Sequence, residues 1–111
     1  MSENVGFAGQ IGPEHISQVV EKGFKSIINN RPDLEGGPEQ PTSAQMETAA
    51  REAGLEYAYL PVIPGQLTEA DVRSFADQYN TLTKPILMFC RTGNRSNNLY
   101  QLAKQMDLLD D

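Results

Sequence analysis

Apolar residues in this chain fall into two alternating patterns, short continuous runs and stripes with helical spacing. The runs are Val5 to Gln10, Phe24 to Asn29, Leu55 to Val62, and Ile86-Leu87-Met88-Phe89 opened by Pro85; each has the length of a buried strand. Between the first two, Ile16, Val19 and Val20 are spaced i, i+3, i+4 and predict a helix over 14–22, with Pro13 at its start and Gly23 as its cap. Met46, Ala49, Ala50 and Ala53 mark one face of a second helix, capped by Thr42 or Ser43, running to Glu52 and followed by Gly54. Val72, Phe75, Ala76 and Tyr79 mark a third, which Thr68 caps with Asp71 completing a capping box. A last helix over 96–108 presents Leu99, Leu102, Ala103 and Met106 inward. Segment 31–42 is rich in Pro and Gly and reads as loop, and Pro64-Gly65 as a turn.

Strands that alternate with helices predict one α/β domain over 1–111, a three-layer α/β/α arrangement with a four-stranded parallel sheet and right-handed crossovers. Ligands of such sheets bind beyond the carboxyl ends of the strands. Cys90 stands at that end of the most hydrophobic run, at the mouth of the last helix.

Composition narrows the function. Of 111 residues, 15 are acidic and 9 are Lys or Arg, for a formal net charge of −6. That balance argues against a nucleic-acid partner, whose phosphates need basic residues, but a local field can still hold a small anion. The single cysteine excludes an internal disulfide. The opening Met1-Ser2-Glu3 lacks the basic start of a signal peptide, and no run approaches the roughly 18 apolar residues of a membrane span. A cytoplasmic protein with no membrane partner is expected. With one His and one Cys, no usual zinc ligand set can form, and no metal or cofactor is expected.

The chemistry concentrates in Cys90-Arg91-Thr92-Gly93-Asn94-Arg95-Ser96. A thiol is a nucleophile as thiolate, and three features here favour that form. Backbone N–H groups can turn inward as a nest around Gly93, the following helix directs its positive end at the loop, and Arg91 and Arg95 add positive charge. Thr92, Asn94 and Ser96 complete the anion-binding loop, Ser96 either capping the helix or donating to the sulfur. The bland alternative, a small apolar residue ending a strand, does not account for the flanking Gly, Arg and Ser.

The loop resembles those of protein tyrosine phosphatases and of rhodanese sulfurtransferases. Phosphatase loops carry Cys-x5-Arg, usually after His; here Phe89 precedes Cys90, Arg95 lies five positions on, and Ser96 occupies the sixth. Cys-Arg-Thr-Gly-Asn-Arg-Ser is more similar to the tighter rhodanese loop. Further markers are Gly9-Gln10, Gly23-Phe24, Ile28-Asn29-Asn30-Arg31-Pro32-Asp33 with Glu35, Gln40-Pro41, Ala49-Ala50, Gly54-Leu55 and Leu60-Pro61-Val62. From Val5 to Tyr100 the chain thereby resembles the beta-lactamase-hydrolase-like domains, although Tyr100 stands where many members have Trp. The resemblance implies a tyrosine-phosphatase-like fold of the dual-specificity type, strand order 1-4-2-3, and Arg31 lining the site. It also implies a persulfide-metabolising partner protein, since some members are fused to a persulfide dioxygenase; no His-rich segment of that enzyme is present here.

These observations lead to a cysteine-dependent sulfurtransferase. Its partners are a small anionic sulfur donor, such as thiosulfate or a low-molecular-weight persulfide, and a thiol acceptor, with Cys90 and Arg95 catalytic. The competing readings are phosphoester hydrolysis through a phosphocysteine and a non-catalytic anion or persulfide sensor. Phosphoester hydrolysis calls for an acid after the third strand, yet Pro61-Val62-Ile63-Pro64-Gly65-Gln66 has no carboxylate, and Glu69 and Asp71 read as first-turn helix residues. Arg31 has two readings of equal weight, an anion-binding side chain or an ion pair with Asp33 or Glu35, the two acids being structural. His15 is expected on the surface or at the far end of the sheet. Gly36-Gly37 is flexible loop, and Tyr57 and Tyr59 are packing residues.

Overall fold

The computed structural model describes residues 4–110; the Met1-Ser2-Glu3 opening lies outside the described residues. Its strands are β1 (Val5–Ala8), β2 (Ser26–Asn29), β3 (Glu56–Tyr59) and β4 (Ile86–Phe89), and its α-helices are α1 (Ile16–Glu21), α2 (Ser43–Glu52), α3 (Glu69–Thr81) and α4 (Asn94–Gln105). A 3₁₀ turn, Pro13–His15, leads into α1, so the expected first helix is shorter and begins with a tighter coil. The first three strands are shorter than their apolar runs, because pairing ends where the chain turns away and Phe24 packs outside β2, whereas β4 matches its run.

All strand pairs are parallel and the order is β1-β4-β2-β3. Side chains of a strand alternate between faces, which divides the core in two. Ile28 on β2 and Ile86 and Met88 on β4 join Val72, Phe75, Tyr79, Leu99 and Ala103, so α3 and α4 cover one face. Ile27, Leu87 and Phe89 join Ile16, Val19, Met46 and Ala50, so α1 and α2 cover the other. Four positions expected inward are exposed instead: Val20, Ala53, Leu102 and Met106. On α4 the buried stripe rotates to Leu99, Tyr100 and Ala103, where Tyr100 packs edge-on against Phe7 of β1.

Local signals fix the helix starts. The Thr42 hydroxyl accepts from Gln45 N at 3.1 Å, and the Thr68 hydroxyl from Asp71 N at 3.1 Å, while Gln45 and Asp71 each accept the cap residue's own N–H. A cap of this kind contributes on the order of 1 kcal/mol. Among the described residues, no helix is long and apolar enough to cross a membrane.

Candidate active site

β4 enters the sheet between β1 and β2, so Cys90 emerges beside the ends of both neighbours. Cys90 N donates to Ala8 O, and Asn30 N donates to Phe89 O at 2.9 Å. The 91–93 segment then makes a tight return into α4. Gly93 carries it at φ +93, a left-handed conformation, and a Cβ there would sit 3.4 Å from the Ala8 backbone. Both constraints select glycine.

Helix α4 differs from α2 and α3 at its start. Its N-cap is Gly93, not Ser96, and no side chain caps it. Cys90 Sγ takes that role instead, accepting from Gly93 N at 3.0 Å. Burial of the thiol pushes its pKa up. The Ser96 N–H and hydroxyl, with the N–H groups of Thr92 and Gly93, outweigh that effect and leave the thiol below its ordinary value. Ser96 is the third residue of α4, the same place from which Gln45 and Asp71 donate to their threonine caps. The thiolate therefore uses the orphan N–H groups of a helix start. The Ser96 hydroxyl has one hydrogen, shared between this sulfur and Asn30 Oδ1 at 2.8 Å.

The two arginines act differently from the expectation. Neither is among the leading causes of the Cys90 shift. Arg95 donates from Nη1 to Glu35 Oε2 at 3.0 Å and from Nη2 to Glu35 Oε1 at 3.1 Å, and Nη1 also reaches Val62 O at 2.9 Å. Arg31 donates from Nε to the same carboxylate at 2.9 Å and from Nη1 to Gln10 Oε1 at 3.0 Å. Of the two readings of Arg31, the ion pair with Glu35 is present, and the same side chain lines an open cleft of about 750 Å³ together with Arg91, Arg95, Ile63 and Pro64. Arg91 and Thr92 are exposed, and Thr92 Oγ1 accepts from Asn94 N at 3.3 Å. Asp33 is structural, accepting from Ser43 N and donating its own N–H to Tyr59. Tyr57 is a packing residue whose hydroxyl accepts from Asn29 Nδ2.

One site residue escaped the sequence reading, and another holds more than the single ion pair expected of it. Asn30 is fully buried, and its side chain joins Ser96 of the loop to Leu60 O after β3. Glu35 gathers two arginines from opposite sides of the cleft. The signal for Asn30 was a polar residue directly after a buried strand, in the Asn29-Asn30-Arg31 run, whereas Glu35 was expected only as an ion-pair partner of Arg31. His15 also needs correction. It follows the β1 loop and so begins at the Cys90 edge of the sheet, where its Nδ1 accepts from Gly12 N at 2.8 Å. That bond occupies the ring in the turn.

The family model for the beta-lactamase hydrolase-like protein, phosphatase-like domain, matches residues 1–107. The chain belongs to this family. Beta-lactamase hydrolase-like proteins of Xylella fastidiosa (strain Temecula1) and Agrobacterium fabrum are 36% and 37% identical over 107 residues, which is 96% of this chain and 25% of theirs. The chain thus spans about a quarter of the length of these curated relatives. A crystal structure from Neisseria meningitidis, described as a "putative phosphatase", superposes with a TM-score of 0.87 at 29% identity, covering 96% of this chain and 75% of that one. One from Shewanella putrefaciens, similarly described, gives 0.78 at 21% identity over 96% and 68% of the two chains, a likeness of fold. The four-stranded parallel sheet of this phosphatase-like family domain is the expected one, with the expected strand order.

Proposed function

We propose that this domain moves sulfane sulfur through a Cys90 persulfide. The Cys90 thiolate attacks the outer sulfur of thiosulfate or of an organic persulfide, forming Cys90–S–S⁻ and releasing sulfite or a thiolate. An acceptor thiolate then takes the outer sulfur and restores the Cys90 thiolate. Neither leaving group needs a proton.

One observation supports this above phosphoester hydrolysis: the ion-paired state of the only carboxylate lining the cleft among the described residues. Burial raises the Glu35 carboxyl, but hydrogen bonds and charge from Arg95 and Arg31 outweigh it and hold it below the ordinary carboxylate range. An ionised acid cannot protonate a departing alkoxide. Asp71 is committed to Thr68, and Glu69 pairs with Arg73 at 3.0 Å. In this reading Arg91 recruits the donor, and the backbone from Arg91 to Ser96 cradles the persulfide. A persulfide-metabolising protein is the proposed partner.

A second reading, phosphoester hydrolysis through a phosphocysteine, is favoured by the comparisons, since both the family and the Neisseria structure are described in phosphatase terms. The two separate by mass. Under sulfur transfer, a sulfane-sulfur donor adds one sulfur to the protein, cyanide or excess thiol removes it, and Cys90→Ser never acquires it. A phosphocysteine trapped from an aryl phosphate, with no sulfur adduct from any donor, would establish the second reading in its place.

A further inference from the structure

Ile63, Pro64 and Arg95 line the anion cleft and also line a second groove of about 530 Å³, between the loop after β3 and helix α4. Its walls differ from those of the cleft. On the loop side stand Ile63, which is 54% exposed, Pro64 and Leu67. On α4, Asn98, Leu102 and Gln105 are spaced i, i+4, i+7 and so share one face. Arg95 is the only charged side chain lining the groove among the described residues. The side-chain amides of Asn98 and Gln105 make no hydrogen bond among those residues. Such walls offer nothing to a second anion. They suit an uncharged chain with amides of its own, since a carboxamide carries both a donor and an acceptor and so complements a peptide group. Length then decides between occupants. From Arg95 to Gln105, at the roughly 1.5 Å rise of an α-helix, the groove continues about 15 Å beyond the cleft. An extended chain covers roughly 3.3 Å per residue, so about four or five residues fill it. A compact oxyanion such as thiosulfate leaves it empty, and a tripeptide thiol with a central cysteine occupies only its beginning.

We infer that this groove takes the sulfur acceptor, and that the acceptor is a cysteine within an extended, weakly charged segment of another protein. The inference rests on the sulfur-transfer reading of Cys90. In the step, the segment's thiolate attacks the outer sulfur of Cys90–S–S⁻. A new S–S bond forms as the old one breaks, its electron pair returns to Cys90 as thiolate, and the segment departs as a persulfide anion. Charge and electrons balance without an oxidant or reductant. The openness of the groove serves this role, because the loaded segment must leave again. It also gives the apolar side chain of Leu102, 37% exposed on α4, something to contact.

The second half-reaction can be timed by itself. Cys90 is loaded from thiosulfate or an organic persulfide, freed of excess donor, and the loss of the added sulfur mass is followed. The acceptors are glutathione and two blocked peptides of about five residues, built of alanine and leucine with the cysteine at one end or the other. At equal thiolate concentration, one of the peptides should discharge Cys90 about tenfold faster than glutathione, the gain expected from burying one leucine side chain. Leu102→Glu should abolish that advantage and leave discharge by glutathione unchanged. If Leu102→Glu is not folded by circular dichroism, Leu102→Gln carries the same test, with the advantage reduced a few-fold. Discharge by glutathione as fast as by either peptide, or a Leu102 variant that slows both kinds of acceptor alike, overturns the inference and leaves sulfur transfer standing. Absence of a Cys90 persulfide with every donor overturns both.

Discussion

Ser96 Oγ donates to Asn30 Oδ1 at 2.8 Å across 66 positions of sequence, and both residues are fully buried. The bond ties the first turn of α4 to the end of β2, while Asn30 Nδ2 ties the same point to Leu60 O. Asn30→Ala removes one of the two acceptors of the Ser96 hydrogen and the side-chain donor to the Leu60 carbonyl, unlinking α4 from the ends of β2 and β3. It should cost roughly 1–3 kcal/mol by denaturant unfolding, and Cys90 alkylation should slow at neutral pH as the loop loosens. A cost below about 0.5 kcal/mol, the range of ordinary surface changes, would show the bond to be incidental.

Cys90 should react with iodoacetamide with an apparent pKa below about 8.5, the free-cysteine reference. Its folded pKa is depressed, so thiolate formation stabilises the fold above the unfolded pKa, and that contribution is lost as pH falls through the folded value. Cys90→Ser should accordingly lose more stability relative to the parent under mildly alkaline than under mildly acidic conditions. A reactivity profile centred at or above the reference would remove the helix-start argument.

Gly93→Ala places a side chain at φ +93 and against the Ala8 backbone. The left-handed conformation alone costs roughly 1–2 kcal/mol. Because Gly93 N donates to the sulfur, the alkylation pKa should rise at the same time. A fall in stability with an unmoved Cys90 profile would place the sulfur's donors elsewhere in the loop.

Asp71→Ala should cost about 1 kcal/mol through the lost α3 cap and leave the rate per folded molecule nearly intact. Arg95→Ala should lower turnover far more, whichever donor is used. Activity on an aryl phosphate that vanishes in folded Asp71→Ala would identify Asp71 as the missing acid and favour phosphoester hydrolysis.

Features that short-range physics controls were legible in the chain alone. Apolar spacing located every strand and helix, and Thr42 and Thr68 marked their helix starts because a cap bonds a backbone three residues away. The Cys90 loop was legible for the same reason: sulfur, Gly93 and the first turn of α4 are neighbours in the chain. Pairings across crossovers emerge only once the sheet is assembled. Arg95 meets Glu35 across 60 positions, so the loop's second arginine braces the cleft, while N–H groups of the loop and the Ser96 hydroxyl hold the sulfur. Leu102 and Met106 lie on the helical stripe yet remain exposed, because the roll of α4 is set by what it packs against; Tyr100 takes the inner place beside Phe7. Periodicity gives a helix its apolar face, but only the packed neighbours say which edge of that face is covered.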